Sequence, residues 1–409
     1  MSSRSLGHLV SLVAILVLEG CAIIPTETGS RFAGCYDNSC VDAPALVPGV
    51  PAFTSITTMT SHSCGLTAAG DAWCWGDNSL GQLGDGTDAP RTAAVKVTGG
   101  LRFSSISAGA GFTCGLATDA SLYCWGSGAT AQLGQFGPDK CASGQVSCAR
   151  QPLLLAGRSY AAVGAGLRHA CAVDTSGATW CWGFNFLGET GSTAYGTIIA
   201  SPIRVAGSNV YASLAGGDSF TCGLTSGGRA YCWGADNRGE LGRAVGTCNS
   251  VAGFANYCSP TPAPVNSSAT FTSLSVGNSH ACGITASSTA LCWGDNGQGQ
   301  LGTSSFDDRM TPALAQGGMT FTSISASGAV TCGTPVGSPS VCWGLNLFGK
   351  LGVGSRIELS TTPLAIAGGR QFVSFAGGQY HVCALTAAGA TYCWGSGREG
   401  ELGTGVLRP

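Results

Sequence analysis

The residues best placed to do chemistry in this chain are its cysteines, of which there are 21 among 409 residues. The tripeptide Cys-Trp-Gly occurs seven times, and another cysteine lies ten residues before each of them. Paired cysteines can bind a metal, exchange electrons or form a structural disulfide. No Cys-x-x-Cys or Cys/His quartet spacing typical of zinc sites occurs, so the pattern favours disulfides. The predicted pairs are Cys64 with Cys74, Cys114 with Cys124, Cys171 with Cys181, Cys222 with Cys232, Cys282 with Cys292, Cys332 with Cys342 and Cys383 with Cys393.

The remaining cysteines indicate where the protein is located. Three more neighbouring pairs, Cys35 with Cys40, Cys141 with Cys148 and Cys248 with Cys258, leave only Cys21 unpaired. Residues 1–20 are predicted to be an export signal, because Arg4 and His8 precede an apolar run from Leu9 to Leu18 that is too short to span a membrane. So many disulfides require an oxidising compartment.

The segment Leu18-Glu19-Gly20-Cys21 resembles a bacterial lipoprotein signal, in which the cysteine is lipidated and becomes the mature N-terminus. This resemblance implies a lipid anchor on Cys21 and a tether over residues 21–43. Glu19 departs from the pattern, and ordinary secretion is the alternative. We therefore expect a bacterial cell-envelope protein on the outer membrane or cell surface, or otherwise a secreted protein.

Four of the five histidines share one position, two residues before the first cysteine of a repeat. A ring of imidazoles could bind a metal or sense pH. The other repeats carry Phe or Val at this position, which indicates a buried site and favours packing. The seven residues are His62, Phe112, His169, Phe220, His280, Val330 and His381.

The remaining polar motifs do not match a catalytic or cofactor site. The recurring Gly-x-Leu-Gly turns lack the Lys-Ser/Thr ending of a phosphate-binding loop, and the Asp85 to Asp88 segment lacks the ligand spacing of a calcium loop. No Ser/His/Asp arrangement stands apart from the repeats. A formal net charge of −2 gives no basic footprint for nucleic acid. We predict no enzyme activity, no cofactor and no metal.

The elements that position the cysteines are predicted to be β-hairpins. In the first repeat, a three-residue loop ending at Gly70 would place Cys64 directly opposite Cys74. The same register places a small residue opposite a larger one in every repeat, as with Gly65 and Trp73. A Phe-x-Ser strand precedes each hairpin and a further short strand, usually with a proline, follows it.

Four strands in each of seven repeats predict an all-β, seven-bladed β-propeller over residues 44–409. The stretch 44–47 matches the fourth strand of a repeat but precedes the first one. We therefore expect it to complete the last blade and close the ring.

The joint motif, best seen from His62 to Gly84 and from His280 to Gly302, resembles the regulator of chromosome condensation repeat family. The likeness covers about residues 44 to 405. It implies a seven-bladed propeller. The founding member is a nucleotide exchange factor for a small GTPase and binds chromatin, but an exported chain of nearly neutral charge does not support that transfer. Extracellular bacterial members include a protein inhibitor of β-lactamases that binds through aromatic residues of its loops.

The places where the repeat is interrupted are the candidate binding sites. Successive Cys-Trp-Gly motifs are 50, 57, 51, 60, 50 and 51 residues apart, and both long intervals contain an extra cysteine pair. Stapled loops with aromatic side chains suit a protein-binding face. The alternative is that these rings fold back on their own loops. The candidate residues are Phe136, Phe184, Phe186, Phe254, Tyr257 and Phe348.

The sequence thus predicts a non-catalytic binding scaffold of the bacterial cell envelope with an unknown protein partner. Aromatic rings on one rim could also stack on sugars, so a glycan or cell-wall binding propeller is the alternative. A purely structural envelope component is the third possibility.

Overall fold

In a computed structural model, the described residues form seven antiparallel sheets, one for each Cys-Trp-Gly repeat. The structure describes residues 39–251, 254–316 and 318–408, without the side chains of 249–251, 254 and 255. Three predicted features lie outside the described residues: the signal at 1–20, the predicted lipidation of Cys21, and Cys35, the predicted partner of Cys40. Within the described part of the chain, no helix is long and apolar enough to cross a membrane.

Each sheet is one blade. In blades 1, 3, 5 and 6 the four strands follow each other outward from the propeller axis in chain order. Blades 1 to 3 contain β2 (Phe53–Met59), β3 (His62–Thr67), β4 (Ala72–Gly76) and β5 (Arg91–Lys96); β6 (Phe103–Gly109), β7 (Phe112–Ala117), β8 (Leu122–Ser127), β9 (Asp139–Cys141) and β10 (Val146–Leu154); and β11 (Tyr160–Ala165), β12 (His169–Asp174), β13 (Thr179–Asn185) and β14 (Thr197–Arg204).

Blades 4 to 6 repeat the arrangement. They contain β15 (Tyr211–Gly216), β16 (Phe220–Thr225), β17 (Ala230–Ala235), β18 (Thr247–Val251) and β19 (Phe254–Pro264); β20 (Phe271–Val276), β21 (His280–Thr285), β22 (Ala290–Gly294) and β23 (Arg309–Leu314); and β24 (Phe321–Ser327), β25 (Val330–Pro335), β26 (Val341–Leu345) and β27 (Leu359–Ala365). The extra strands β9 and β18 are the outermost strands of blades 2 and 4.

Blade 7 combines the two ends of the propeller. Its strands β28 (Ser374–Gly377), β29 (His381–Leu385) and β30 (Thr391–Ser396) are completed by β1 (Cys40–Leu46) from the start of the propeller. In this pairing Ala45 lies opposite Cys393 and Leu46 opposite Tyr392. The predicted closure of the ring by the strand before the first repeat is therefore confirmed.

The hairpin register of every blade is the predicted one. Cys64 lies opposite Cys74 and Gly65 opposite Trp73, and the other six blades repeat the pattern. The cysteines of each hairpin are therefore directly opposed across two neighbouring strands.

All seven predicted hairpin disulfides are present, each with a Cα–Cα distance of 4.1 Å. This separation is shorter than most disulfides show and belongs to directly opposed residues of a non-hydrogen-bonded pair. The disulfides join Cys64 to Cys74, Cys114 to Cys124, Cys171 to Cys181, Cys222 to Cys232, Cys282 to Cys292, Cys332 to Cys342 and Cys383 to Cys393.

In the five blades that carry glycine beside the first cysteine, this glycine also lies against the aromatic ring of the inner strand. A Cβ on Gly65 would lie 2.5 Å from the Phe53 ring, and one on Gly115 would lie 2.6 Å from the Phe103 ring. In these five blades the inner-strand aromatic leaves no room for a side chain, whereas blades 3 and 7 carry Ala172 and Ala384 at this position.

The tryptophans of the seven Cys-Trp-Gly motifs are completely buried and hold neighbouring blades together. Each indole Nε1 donates to a main-chain carbonyl in the turn that follows the third strand of the preceding blade. In blade 2, Trp125 donates to Gln82 at 2.9 Å, and Trp75 of blade 1 donates to Glu401 of blade 7 at 3.0 Å. The inner strands surround a central channel with a cavity of about 210 Å³, lined mainly by small side chains and backbone.

Candidate binding face

All insertions of the repeat open onto one end of the propeller. In an antiparallel blade, the loop between the first and second strands and the loop between the third and fourth strands lie at the same end. We call this end the long-loop face. It comprises the third-to-fourth-strand loops at 77–90, 128–145, 186–196, 236–251, 295–308 and 346–358, the segment 397–408 that follows β30, and the first-to-second-strand loops around the channel mouth. The predicted clustering of the insertions on one rim follows from this topology.

The insertion of blade 2 is fastened both to itself and to blade 1. The Cys141–Cys148 disulfide lies at the hairpin of β9 and β10. Arg150 donates to Asp88 of blade 1 at 2.9 Å and to the Lys140 carbonyl at 2.8 Å. Because such surface ion pairs add little stability, their main effect is to orient the loop that carries Phe136.

The insertion of blade 4 leans on blade 3 in a similar way. Cys248 and Cys258 form a disulfide between β18 and β19. Cys258 packs with Leu187 of blade 3, and Phe186 contacts this cluster. The backbone N–H of Tyr257 donates to Asn237 at 3.0 Å. Each stapled insertion thus rests on the loop of the blade before it.

The predicted binding aromatics fall into two groups. Phe136 is 65% exposed and Tyr257 is 47% exposed. Phe184 and Phe186 stack on each other with centroids 5.8 Å apart, and Phe348 packs edge-on against Tyr380 at 6.0 Å. The last three rings therefore contact neighbours on their own face. The Phe254 side chain lies outside the described residues.

Sequence reasoning missed one exposed aromatic on this face. Phe306, in the third-to-fourth-strand loop of blade 5, is 54% exposed. Its signal was an aromatic residue between Ser305 and Asp307 in an otherwise polar turn. The interval between repeats is not enlarged there, so the spacing of the repeats did not indicate this ring.

The four histidines of the repeats lie beneath this face, in the contacts between blades, and are at most 1% exposed. Each Nε2 is within hydrogen-bond distance of a hydroxyl of the next blade, as His62 is of Thr113 at 2.9 Å. Burial lowers the pKa of His62 and His169 to about 4 and that of His280 and His381 to about 3. Within residues 39–251, 254–316 and 318–408, no group of three His, Cys, Asp or Glu side chains is arranged to hold a metal ion.

Several charged side chains are buried in the turns below the loops. Six blades carry Gln or Glu in the second position of the Gly-x-Leu-Gly-like turn, where the side chain accepts backbone N–H groups, as Glu189 does from Phe186 and Leu187. Burial raises the pKa of Glu189 and Glu240 to about 7. Blade 6 has Lys350 instead, 3% exposed, with Nζ donating to the Gln379 carbonyl at 2.9 Å. Burial lowers the pKa of Lys350 to about 7.

Curated relatives match part of the chain. The RCC1 domain-containing protein RUG3, mitochondrial, of Arabidopsis thaliana is 31% identical over 144 residues, which cover 34% of this chain and 31% of that protein. The ultraviolet-B receptor UVR8 of the same plant is 27% identical over 154 residues, covering 37% and 33%. The chain thus spans about a third of the length of these relatives.

Solved structures share the fold at low sequence identity. Prp20p of Saccharomyces cerevisiae superposes with a TM-score of 0.70 at 16% identity, covering 89% of this chain and 88% of that one. The CRINKLY WD40 ectodomain of the Arabidopsis thaliana receptor kinase ACR4 gives 0.52 at 22% identity, covering 85% and 99%.

Family models match most of the chain. The model of the RCC1-like domain matches residues 28–334, and that of the regulator of chromosome condensation (RCC1) repeat matches residues 342–385. Together with the seven-bladed fold, these matches show that the chain belongs to the RCC1-like domain family.

Proposed function

We propose that the protein is a non-catalytic scaffold of the bacterial cell envelope that binds a protein partner through the long-loop face. The observation that carries the proposal is the position of Phe136, Tyr257 and Phe306: three aromatic rings, about half or more exposed, on one end of a rigid ring. Aromatic side chains on fixed loops supply contact area with little loss of conformational entropy.

The comparisons support a binding role in general terms. Prp20p, which shares the fold, is described with binding properties to Gsp1p and histones, and the yeast protein has also been solved bound to Kap60. Those partners belong to those proteins. The shared property that we transfer is the use of the propeller as a docking platform.

The location is part of the proposal and depends on residues outside the described part of the chain. Disulfides in all seven blades support an oxidising compartment. Labelling cells with a palmitate analogue tests the anchor. We expect label on the native chain and none on Cys21→Ser, whose product should leave the membrane fraction; an unlabelled native chain would leave ordinary secretion as the explanation.

The binding face is tested by crosslinking and pull-down from whole cells. The test variant carries Phe136→Ser, Tyr257→Ser and Phe306→Ser. The matched control carries Val210→Ser, Val336→Ser and Val373→Ser, three exposed side chains at the opposite end of the propeller. We expect the test variant alone to lose a saturable protein partner that purified native chain also binds.

A second variant with a shortened 243–263 loop asks whether the blade 4 insertion contributes. An unchanged partner list in both long-loop variants contradicts the proposal. The same exposed rings could stack on sugars, so a glycan array is run in parallel. Saturable glycan binding lost in the aromatic variant would replace the protein partner with a carbohydrate, and no saturable ligand of either kind would indicate a structural component.

A further inference from the structure

The contacts between neighbouring blades, which we call seams and number by the two blades they join, are of two kinds. At seams 1/2, 3/4, 5/6 and 7/1 a histidine Nε2 meets a hydroxyl of the next blade, at distances of 2.7 to 2.9 Å. The pairs are His62 with Thr113, His169 with Thr221, His280 with Thr331 and His381 with Ser63.

At seams 2/3, 4/5 and 6/7 both of these positions are apolar. The residues that correspond to the histidine and the hydroxyl are Phe112 and Ala170, Phe220 and Ala281, and Val330 and Val382. A histidine thus occurs where the next blade offers a hydroxyl, and Phe or Val occurs where it offers Ala or Val. This agreement across seven seams shows that each polar pair is a matched unit.

The direction of these hydrogen bonds fixes where the imidazole proton lies. Thr113 Oγ1 donates to the Gln82 carbonyl at 3.0 Å, Thr221 Oγ1 to the Glu189 carbonyl at 2.9 Å and Thr331 Oγ1 to the Gln300 carbonyl at 2.7 Å. Since each hydroxyl has one proton, it must accept from the ring. Nε2 therefore carries the hydrogen in these three histidines, and Nδ1 is the nitrogen left to take up a second proton.

Nδ1 is buried in all four rings. In His62, His169 and His280 it has no hydrogen-bond partner among the described residues, whereas the Thr60 backbone lies beside the His381 ring. In three of the four rings the same edge of the ring lies against a glycine of its own blade, as His169 does against Gly166. An imidazolium formed in His62, His169 or His280 would be a buried charge without an acceptor for its Nδ1 hydrogen.

Charged groups around the rings differ from seam to seam. Asp77 favours the cation of His62, and the Thr60 backbone acts in the same sense on His381. Lys350 opposes the cation of both His280 and His381, and His62 also opposes that of His381. For His169, burial is the main influence that opposes formation of the cation. The rings that do not face Lys350 belong to seams 1/2 and 3/4.

We propose that the four histidine seams are sensitive to acid: protonation of Nδ1 weakens the contact between the two blades, while the three apolar seams stay closed. All four weaken together down to about pH 4, because the pKa of each histidine in the closed seam lies below that in an open seam. Seams 1/2 and 3/4 are the two across which the stapled insertions rest on the preceding blade. Acid would therefore move the loops of Phe136 and Tyr257. The effect of this movement on partner binding rests on the proposed function, whereas the opening of the seams does not.

The pKa values determine in which direction the stability of the seams changes with pH. The histidine pKa is lower in the folded ring than its ordinary value of 6.5, so an open seam binds the proton first. The seams begin to weaken as the pH falls below about 6.5. The effect is complete below a pH of about 4 at seams 1/2 and 3/4 and of about 3 at seams 5/6 and 7/1. Glu189 and Glu240, whose pKa burial raises, take up protons over part of the same range and act in the opposite sense on global stability. The test must therefore resolve single seams.

Hydrogen–deuterium exchange at about pH 7.5 and about pH 4.5, corrected for the intrinsic pH dependence of exchange, provides that resolution. We expect protection at the four histidine seams, 1/2, 3/4, 5/6 and 7/1, to fall about tenfold or more at the lower pH, with little change at seams 2/3, 4/5 and 6/7. The matched variant His169→Phe with Thr221→Ala copies an apolar seam. It should remove the response at seam 3/4 and leave that at seam 1/2 intact.

An equal acid response at all seven seams, or an unchanged response at seam 3/4 in the double variant, overturns the proposal. A measurement on the native chain guards against a variant that fails to fold. In an NMR titration of the imidazole Cε1 protons, the four seam histidines should remain neutral to below about pH 5. Titration near 6.5 in the intact fold would show that the rings accept a proton without opening, and would also overturn it. Loss of partner binding plays no part in either test.

Discussion

One buried residue, Lys350, distinguishes blade 6 from the other six blades. Lys350 occupies a position at which Gln82 and Gln300 accept a backbone N–H from the residue two positions earlier. An ammonium group cannot accept such a bond. Its side chain instead reaches the Gln379 carbonyl near the channel mouth and remains buried there. Blade 6 therefore has a buried amine where its sister blades have Gln or Glu.

Replacing Lys350 with Gln should stabilise the protein. Burial lowers the pKa of Lys350 from 10.5 to about 7, so the folded state disfavours the charged form. This penalty is absent above a pH of 10.5, the pKa of the lysine in the unfolded chain. It is complete below a pH of about 7, the pKa of Lys350 in the folded protein. We expect Lys350→Gln to raise the free energy of unfolding by about 1–2 kcal/mol at neutral pH, with a smaller gain at about pH 9.

Denaturant unfolding at the two pH values measures this gain, and Gln300→Lys, the reverse change in a sister blade, is the matched control. It should destabilise the protein at neutral pH. A Lys350→Gln protein that is less stable than the native chain at neutral pH would show that the Lys350 contact outweighs its desolvation.

At the scale of the hairpin, the backbone needs a left-handed residue at the third loop position. Gly70, Gly177, Gly228 and Gly389 have φ between 78° and 89° there. Blades 2 and 5 place Ala120 and Ser288 at the same position, with φ of 68° and 63°. A side chain in this conformation costs energy that glycine avoids.

We therefore expect Ala120→Gly and Ser288→Gly each to stabilise the protein by about 0.5–1 kcal/mol, a gain reduced by the greater freedom of glycine in the unfolded chain. Thermal and denaturant unfolding measure the change. Gly70→Ala is the converse variant and should destabilise, since its Cβ would also lie 3.0 Å from the Phe103 carbonyl. Unchanged or lower stability in both glycine variants would mean that the loops already relieve the strain.

The hairpins also show how far the sequence could predict the structure. The register, the disulfides and the closing strand follow from local spacing, because the opposed pair and the turn residue lie within one short segment. The seam contacts join blades about 50 residues apart, as His169 joins Thr221. The histidine position predicted burial, but its hydroxyl partner and the interlocking of Trp with the preceding turn required the assembled ring. For the same reason, the packing of Phe184, Phe186 and Phe348 could not be predicted from their loops alone.

At the scale of the whole molecule, closure depends on contacts between the first and last repeats. The Trp75 indole donates to Glu401, His381 meets Ser63 at 2.7 Å, and β1 pairs with β30. Loss of β1 would leave the outer edge of β30 unpaired. An open edge strand destabilises its sheet and offers a template for association with another chain.

A chain that begins at Pro48 should therefore be less stable than one that begins at Ala33, by at least about 2 kcal/mol, and should self-associate. The chain from Ala33 is the control because it keeps β1 together with Cys35 and Cys40. Calorimetry measures the midpoint of unfolding, and size-exclusion chromatography with light scattering measures the mass. If both chains unfold at the same temperature as monomers, the ring is held by the Trp75 and His381 contacts alone, and β1 contributes nothing to closure. A lower midpoint for the shorter chain, with added dimer or larger species, is the result that a ring completed by β1 requires.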